Sequence, residues 1–465
     1  MTQRQDAVAR RVNRRQRRFV AGARQLSFEG LEGRQLMAGN VTAAVRGQTL
    51  VITGDAAANN IAIVATDNDR YAVIGIDTNV NRSEDAFVTT RAIRNIQVSL
   101  NGGDDVLLAT SDATGLSDVF FDAFELDLAD RDIDAAALQG LIDDVNPAES
   151  FSVPGNLTIL GGQGGDVVGI VGSVGGNVLA QLSDFGTDAA NFFAMDGLAP
   201  PVDEFSVGGG VLVTGGGQND SVAVANARIQ GRLAAELGNG ANVFVTVASQ
   251  VGTTFTYTGG AGADIVATGD VDVGSSMAVV TRGGSDEVYT AIDTVGDTRV
   301  GRSLSIDTGL GDDTVGVSGT TEFSVVVNTG DGNDEISVID TTAGGNISIM
   351  AGAGNDLVDV QNIDVNRVFQ AALGLGNDVL TGSMWIVNQS VYIDGGPGDD
   401  DVTLEDLAVE QAISVVLGSG NDNCSIMTST ALSIFVSGGA GTDNSAIDDE
   451  TRDVVANIFE SSIEP

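Results

Sequence analysis

Gly352-Ala-Gly-Asn-Asp356-Leu-Val-Asp-Val-Gln-Asn-Ile-Asp-Val-Asn-Arg-Val-Phe-Gln-Ala-Ala-Leu373 is one complete unit of a repeat, and Gly374-Leu-Gly-Asn-Asp378 opens the next. The signature is Gly-x-Gly-x-Asp. Unbroken copies end at Asp264, Asp313, Asp334, Asp356, Asp378, Asp400, Asp422 and Asp443, with another standing apart at Asp166. Degenerate copies end at Asp105, Asp220, Asn242 and Asp286. From Asp220 onward the intervals are 22, 22, 22, 27, 21, 22, 22, 22, 22 and 21 residues. A fixed period of this size marks a solenoid, in which each repeat is one coil stacked on its neighbours.

The residues between signatures shape the coil. Counted from each Asp, apolar residues return at offsets 2 and 4, 7 and 9, and 13 and 15, often with one more at 17. After Asp356 these are Val358, Val360, Ile363, Val365, Phe369, Ala371 and Leu373; after Asp400 they are Val402, Leu404, Leu407, Val409, Ile413, Val415 and Leu417. Residues two apart share one face of a strand, so each group predicts a short strand and each repeat three of them. Gly274, Gly344-Gly345, Asn366 and Asn388 fall between the second and third groups as turn residues. Helix is excluded, because glycine costs about 1 kcal/mol at each interior helical position. The expected fold is all-β: a parallel β-solenoid, drawn as a three-sided right-handed β-helix of about 22 residues per coil.

The regular block spans 207–443, and the flanking chain divides into four parts. Residues 1–39 are basic, with Arg10, Arg11, Arg14, Arg15, Arg17 and Arg18 clustered. Residues 40–110 alternate in strand fashion at Thr49–Ile52, Ile61–Val64, Tyr71–Ile74 and Ile96–Leu100, which predicts an N-terminal β cap over the first coil. Residues 111–206 are expected to hold irregular coils with two insertions, at 112–150 and 183–205. The first contains a predicted helix over 132–142, with acids at its start and Pro147 beyond its end. The second, with Phe192, Phe193, Met195 and Pro200-Pro201, reads as an excursion loop along the side of the solenoid. Five extra residues between Asp286 and Asp313 predict an outward bulge near 295–299. Residues 444–465 form a cap or tail, either a short helix or a last strand.

Composition bounds the function. The 465 residues carry a formal net charge of −42, from 22 Lys+Arg against 64 Asp+Glu, with no histidine. Residues 1–40 are net +6, which leaves −48 on the remainder. Such a surface repels nucleic acid and anionic membrane, accumulates cations, and strains the compact state unless counter-ions bind. No run of 18 apolar residues is present, so no transmembrane segment is expected. Without histidine the usual general base and the Ser-His-Asp arrangement are missing. Cys424 stands at an inward offset and reads as a small core residue.

Glycines at this spacing allow positive φ and turn successive carbonyls toward one point, while calcium takes six to eight oxygens from carbonyls and carboxylates. Stacked turns therefore predict calcium held by Asp166, Asp264, Asp313, Asp334, Asp356, Asp378, Asp400, Asp422 and Asp443. The competing reading of these residues is turn closure without metal, the Asp bonding its own backbone as an Asx-turn does. Asn242 in place of Asp, and Gln218 and Arg282 in place of motif glycines, fit that reading.

Gly161-Gly-Gln-Gly-Gly-Asp166, Gly259-Gly-Ala-Gly-Ala-Asp264, Gly395-Gly-Pro-Gly-Asp-Asp400 and Gly438-Gly-Ala-Gly-Thr-Asp443 resemble the glycine- and aspartate-rich repeat of the RTX (repeats-in-toxin) family. That resemblance implies a calcium-stabilised parallel β-roll and export from bacteria. The family repeats every nine residues with two turns per coil, whereas this chain has one such turn per 22. Leu31-Glu-Gly-Arg34-Gln-Leu36-Met37 resembles the LEPR-x-LL segment at the N-terminus of large exported bacterial proteins, with Gly33 where that family has proline. It implies export and a cell-surface or extracellular destination.

The expected function is thus that of a secreted or cell-surface structural or adhesive solenoid, stabilised by calcium and without catalysis, with envelope or extracellular polysaccharide as a partner. The alternative is a polysaccharide lyase or hydrolase on a β-helix, for which Arg228, Arg232, Arg282, Arg299, Arg302, Arg367, Tyr289 and Trp385 are the outward candidates. Arg299 and Arg302 near Asp297 form the most site-like grouping, while the offset of Trp385 favours core over platform.

Overall fold

The computed structural model describes residues 39–111, 135–148, 150–182, 191–196, 205–292 and 296–463. The basic segment before Gly39 and the insertion residues 112–134, 183–190 and 197–204 lie outside them. The chain is a parallel β-solenoid whose coils group into two compact units. One unit comprises Met1–Ala235, Phe244–Gln250 and Ile292–Gly296; the other comprises Glu236–Val243, Val251–Ala291 and Asp297–Pro465.

In the second unit, the coil that follows Asp356 shows how the pattern becomes structure. Strand Leu357–Val365 buries Val358, Val360, Ile363 and Val365, a turn follows, and strand Phe369–Leu375 buries Phe369, Ala371 and Leu373. Every inward residue stacks on its counterpart one coil away: Val358 lies between Ile336 and Leu380, and Phe369 between Ile347 and Val391. The first two apolar groups share one nine-residue strand instead of forming two. The step from offset 4 to offset 7 is odd, so simple alternation would turn one group outward. A left-handed residue at offset 6 resets the phase and bends the strand. In eight of the coils it is Asn226, Ala248, Asp270, Asp340, Asn362, Met384, Asp406 or Thr428, with φ between 47° and 60°, and in the coil of Asp313 it is Gly319 at 124°. Asn and Asp tolerate this region best and hold five of those eight places. Nothing in the surroundings explains Met384 or Ala248 there.

In the first unit the N-terminal cap is antiparallel, as its alternation suggests. Asn40–Arg46 pairs with Thr49–Thr53, and Asn60–Thr66 with Arg70–Gly75, before parallel stacking takes over at Asn95–Gly102 and Val106–Ala109. Helix Ala135–Asp144 lies close to the predicted span, described from Ala135. Its Leu138 and Ile142 are buried in a second apolar cluster with Val64, Ile74, Leu108 and Phe192, which explains the near-continuous apolar runs in these strands.

One expectation needs correction, and the outward bulge is located. Residues 183–205 are not simply an excursion loop: Phe192–Asp196 is a coil strand, paired in parallel with Val167–Val171 and with Ser221–Ala225. Near 295–299 the extra residues do leave the register: Tyr289 pairs with Ala267 and Arg299 with Asp272, so nine residues stand where the preceding coil has four. Gly296 and Asp297 are exposed, and pairing resumes at Arg299 and Val300; residues 293–295 lie outside the described residues. At the C-terminus both proposed elements occur, helix Asp449–Val454 capped by the Asp448 side chain and strand Asn457–Ser461.

Trp385 is fully buried, its Nε1 donating to Val360 O at 3.0 Å and its ring 4.3 Å from that of Phe369. Room for the indole comes from Gly382, at an offset where the neighbouring coils have Val360 and Leu404; a β-carbon at Gly382 would collide with the ring. Gly382→Val is therefore expected to destabilise by about 1–3 kcal/mol through overpacking. Adding Trp385→Val should recover part of that loss; urea melts of the two single variants and the double variant measure the coupling.

Candidate functional site

Within each unit the predicted metal residues are stacked in register with the neighbouring rungs, Asp166 in the first unit and the other eight in the second, but they face the interior. In the second unit the backbone N–H of Asp264 donates to Oδ1 of Asp286 at 2.7 Å, and that of Asp286 to Asp313 at 2.8 Å. The chain of bonds continues through Asp334, Asp356, Asp378, Asp400 and Asp422 to Asp443, at 2.8–3.1 Å. Each of these side chains is at most 2% exposed. In the first unit Asn59 donates to Asp105 (2.6 Å), Asp105 to Asp166 (3.2 Å), Asp166 to Asn191 (2.9 Å) and Asn191 to Asp220 (3.1 Å). Through Oδ1 the rung thus binds the neighbouring coil, a role that closure of its own turn would not supply. Asp220 does both, since its Oδ2 also accepts from Gly216 N at 2.9 Å.

Sequence reasoning missed rungs Asn59 and Asn191, which lack the glycine signature. The apolar alternation that follows each, Ile61–Val64 and Phe192–Met195, is the signal that could have located them. The first glycine of the four fullest signatures has a steric reason. A β-carbon at Gly161, Gly259, Gly395 or Gly438 would collide with, or press on, Oδ2 of its own rung.

One residue before the rung, a second row runs along the exposed side of the turns. Asn333 N donates to Asp312 Oδ1, Asn355 N to Asn333 Oδ1, Asn377 N to Asn355 Oδ1, Asp399 N to Asn377 Oδ1 and Asn421 N to Asp399 Oδ1, all at 2.7–2.9 Å. Here the oxygen reaches toward the following coil, whereas the inner rung's oxygen reaches toward the preceding one. Adjacent side chains therefore bond in opposite senses. Hydrogen bonds to Asn333 hold the Asp312 carboxyl below the usual range.

The calcium expectation can be set against this donor arrangement. In the inner column Oδ1 is already committed to an N–H. The glycine turns lie in direct contact: a β-carbon at Gly354, Gly376, Gly398 or Gly420 would overlap the carbonyl oxygen of the equivalent glycine one coil earlier. Gly354 N and Gly398 N also bond straight to Leu375 O and Ser419 O, at 2.7 and 2.8 Å. An ion needing six to eight oxygens at about 2.3–2.6 Å has no place between turns packed in this way. Among the described residues no group of three or more acidic, histidine or cysteine side chains is placed to hold a metal ion. The inner column does not fit calcium as arranged. Carboxylates within reach of solvent in these turns include those of the outer row, Asp312 and Asp399, and that of Asp331 between Gly330 and Gly332.

Burial sets the electrostatics of the column. Desolvation pushes Asp105 up to about 8, Asp313 and Asp356 to about 7, and Asp264 and Asp400 to about 6. It also raises Asp286, Asp334, Asp378 and Asp422. Hydrogen bonds from the preceding rung's N–H oppose the rise, and neighbouring carboxyls add to it. The hydroxyls of Thr281, Thr308 and Thr329 moderate it at Asp286, Asp313 and Asp334. Each of those hydroxyls nonetheless directs its own proton to a carbonyl of the next coil, Thr308 O, Thr329 O or Ala351 O, at 2.9–3.2 Å. Coils stack about 4.8 Å apart, and two unit charges at that distance repel by roughly 3–4 kcal/mol at an effective dielectric of 20.

The arginine grouping is dispersed. Arg302 lies over the Phe323 ring, 5.9 Å from its centroid, while Asp297 Oδ1 accepts from the Ser318 hydroxyl at 3.2 Å. Trp385 belongs to the core, and Cys424 is buried with its thiol pushed up to about 12 by desolvation. Compared with protein-family models, curated proteins and solved structures, the chain matches none.

A carboxyl whose folded pKa is raised binds its proton more tightly in the folded chain. Its contribution to stability is complete below the unfolded value near 4 and disappears as pH climbs through the folded value. For rungs at about 6–8 the loss falls across neutral pH. The melting temperature should drop by about 5 °C or more between pH 5 and 8.5, given about 2–4 °C per kcal/mol for domains of this size. Circular-dichroism melts in 0.5 M salt, where a Debye length of only about 4 Å suppresses surface repulsion, should keep most of that drop.

Proposed function

We propose that the protein is an exported structural β-solenoid, a non-catalytic scaffold at the cell surface or in the extracellular space. The observation that carries this reading is the use made of the repeated signature. Its aspartates and asparagines hold coil to coil through N–H to Oδ1 bonds and present no open constellation to a substrate. A repeat whose polar residues serve stacking selects for length and stiffness, the properties of a scaffold. The LEPR-x-LL-like segment at 31–37 supports export.

Calcium enters this proposal as a counter-ion of the acidic exterior, drawn by a formal net charge of −42 and by exposed acids such as Asp312 and Asp399. Binding of that kind discriminates weakly between divalent ions. Millimolar calcium and magnesium should therefore raise the melting temperature alike, and 0.5 M sodium chloride should erase the difference; a rise specific to calcium would count against it. Envelope or extracellular polysaccharide remains the proposed partner.

Export is tested with residues 1–39 fused to a reporter in a bacterium whose large surface proteins carry the LEPR-x-LL segment. The fusion should reach the surface, where added protease removes it, and Glu32→Ala with Arg34→Ala should retain it inside the cell. A reporter that stays inside with the intact segment would refute the export reading.

A further inference from the structure

The rungs are of two chemical kinds placed in one geometry, and the asparagine rungs reveal what the second branch of the side chain faces. At Asn242 the amide Nδ2 donates to Gly238 O at 3.1 Å and to Gly240 O at 3.2 Å, the carbonyls four and two residues before the rung. At Asn59 it donates to Ala57 O at 2.5 Å, again two residues before, and also to Asp105 Oδ1 at 3.1 Å, whereas at Asn191 it donates to Asp220 Oδ1 at 2.9 Å. At Asn242, and in part at Asn59, the branch opposite Oδ1 thus points at carbonyl oxygens, which call for a donor. In the aspartate rungs Oδ1 makes the same bond to the neighbouring N–H, so Oδ2 takes the branch that the amide occupies in asparagine. Oδ2 of Asp286, Asp313, Asp334, Asp356, Asp378, Asp400 and Asp422 is buried without a hydrogen-bond partner. A carboxylate oxygen in that position meets lone pairs with a lone pair, and seven such vacancies in one column are not an accident of packing.

We infer that the inner-column aspartates act in the folded chain as neutral carboxylic acids, each Oδ2–H donating to its own turn in place of the asparagine amide, so that Asp and Asn are interchangeable at a rung. The surroundings agree. The charged groups facing these carboxyls are further acids: the rungs on either side, with Asp312 and Asp331 near Asp334 and Asp399 near Asp400 and Asp422. Arg282, in the turn of Asp286, is exposed. The threonine hydroxyls beside Asp286, Asp313 and Asp334 have donated their protons elsewhere, which leaves their oxygens as acceptors. A column of ionised rungs would stack like charges coil upon coil out of water, whereas a column of acids carries no such charge and places a donor on the Oδ2 branch. This inference is independent of where the protein is located, and it differs from the calcium array that the glycine signature suggests.

The experiment compares the full chain with the triple variant Asp334→Asn, Asp356→Asn, Asp378→Asn. At pH 5 the two should melt together. At pH 8 the triple variant should melt higher, because three rungs no longer lose a proton, and its melting temperature should depend less on pH. Infrared spectra of the unaltered chain at pH 7 in D2O supply a readout that does not need the variant to fold: a protonated-carboxyl carbonyl band should be present and should disappear on unfolding. Either of two results would overturn the inference. One is a folded chain with carboxylate bands alone at pH 7; the other is a calcium-dependent rise in melting temperature that the triple variant loses and magnesium does not reproduce.

Discussion

A buried backbone N–H at each glycine turn sets the terms for the rest of the structure. Within the strands the parallel ladder satisfies the main chain, but the ladder is interrupted where the chain turns through Gly-x-Gly, and an N–H left bare there costs about 1–3 kcal/mol. The side chain of the rung one coil further on supplies the missing acceptor, as when Asp378 Oδ1 receives Asp356 N at 2.8 Å. The acceptor must be short, branched and inward, which restricts the position to Asp or Asn. The turn must be tight enough to bring that oxygen within reach, and this is what the glycines provide at positive φ.

The outer row complements this arrangement. Because Asn355 N is served by Asn333 from the coil before while Asp356 N is served by Asp378 from the coil after, each turn is tied in both directions at consecutive residues. A slip of one coil by a single residue would break both ties and would also turn every apolar side chain to the wrong face. Register is therefore enforced twice, by hydrogen bonding at the turn and by burial along the strands. The interior can then vary in size. The pairing of Gly382 with Trp385 places the largest side chain of the protein in a coil whose neighbours carry Val360 and Leu404 at the first offset and Ile363 and Leu407 at the second.

The same constraint bears on chemistry. A signature that looks like a metal loop when read as single residues becomes a structural spine when its carboxyls turn inward. The acids left for the exterior then form a diffuse negative surface. The stability of the fold is then coupled to pH through the buried carboxyls of the column.

Much of this was legible in the chain. The period, the offsets of the apolar residues and the glycine signature specify coils, inward faces and turns, because burial and positive φ leave local marks: Val358, Val360, Phe369 and Leu373 are buried where alternation places them. The alignment of Asp264 through Asp443 on one edge also follows from the period. What the sequence does not encode is the direction of a side chain whose two faces are both plausible. Inward and outward Asp have the same spacing, and only the stacked coil decides that Oδ1 meets an N–H from the neighbour while Oδ2 faces its own turn. Asn59 and Asn191 carry no glycine signature, and their partners Asp105 and Asp220 lie 46 and 29 residues away, so the apolar alternation after them locates a strand but only the tertiary geometry makes them rungs. Local spacing determined that coils form and how long they are; contact between coils, a long-range relation with no local signature, decided what the repeated acid does.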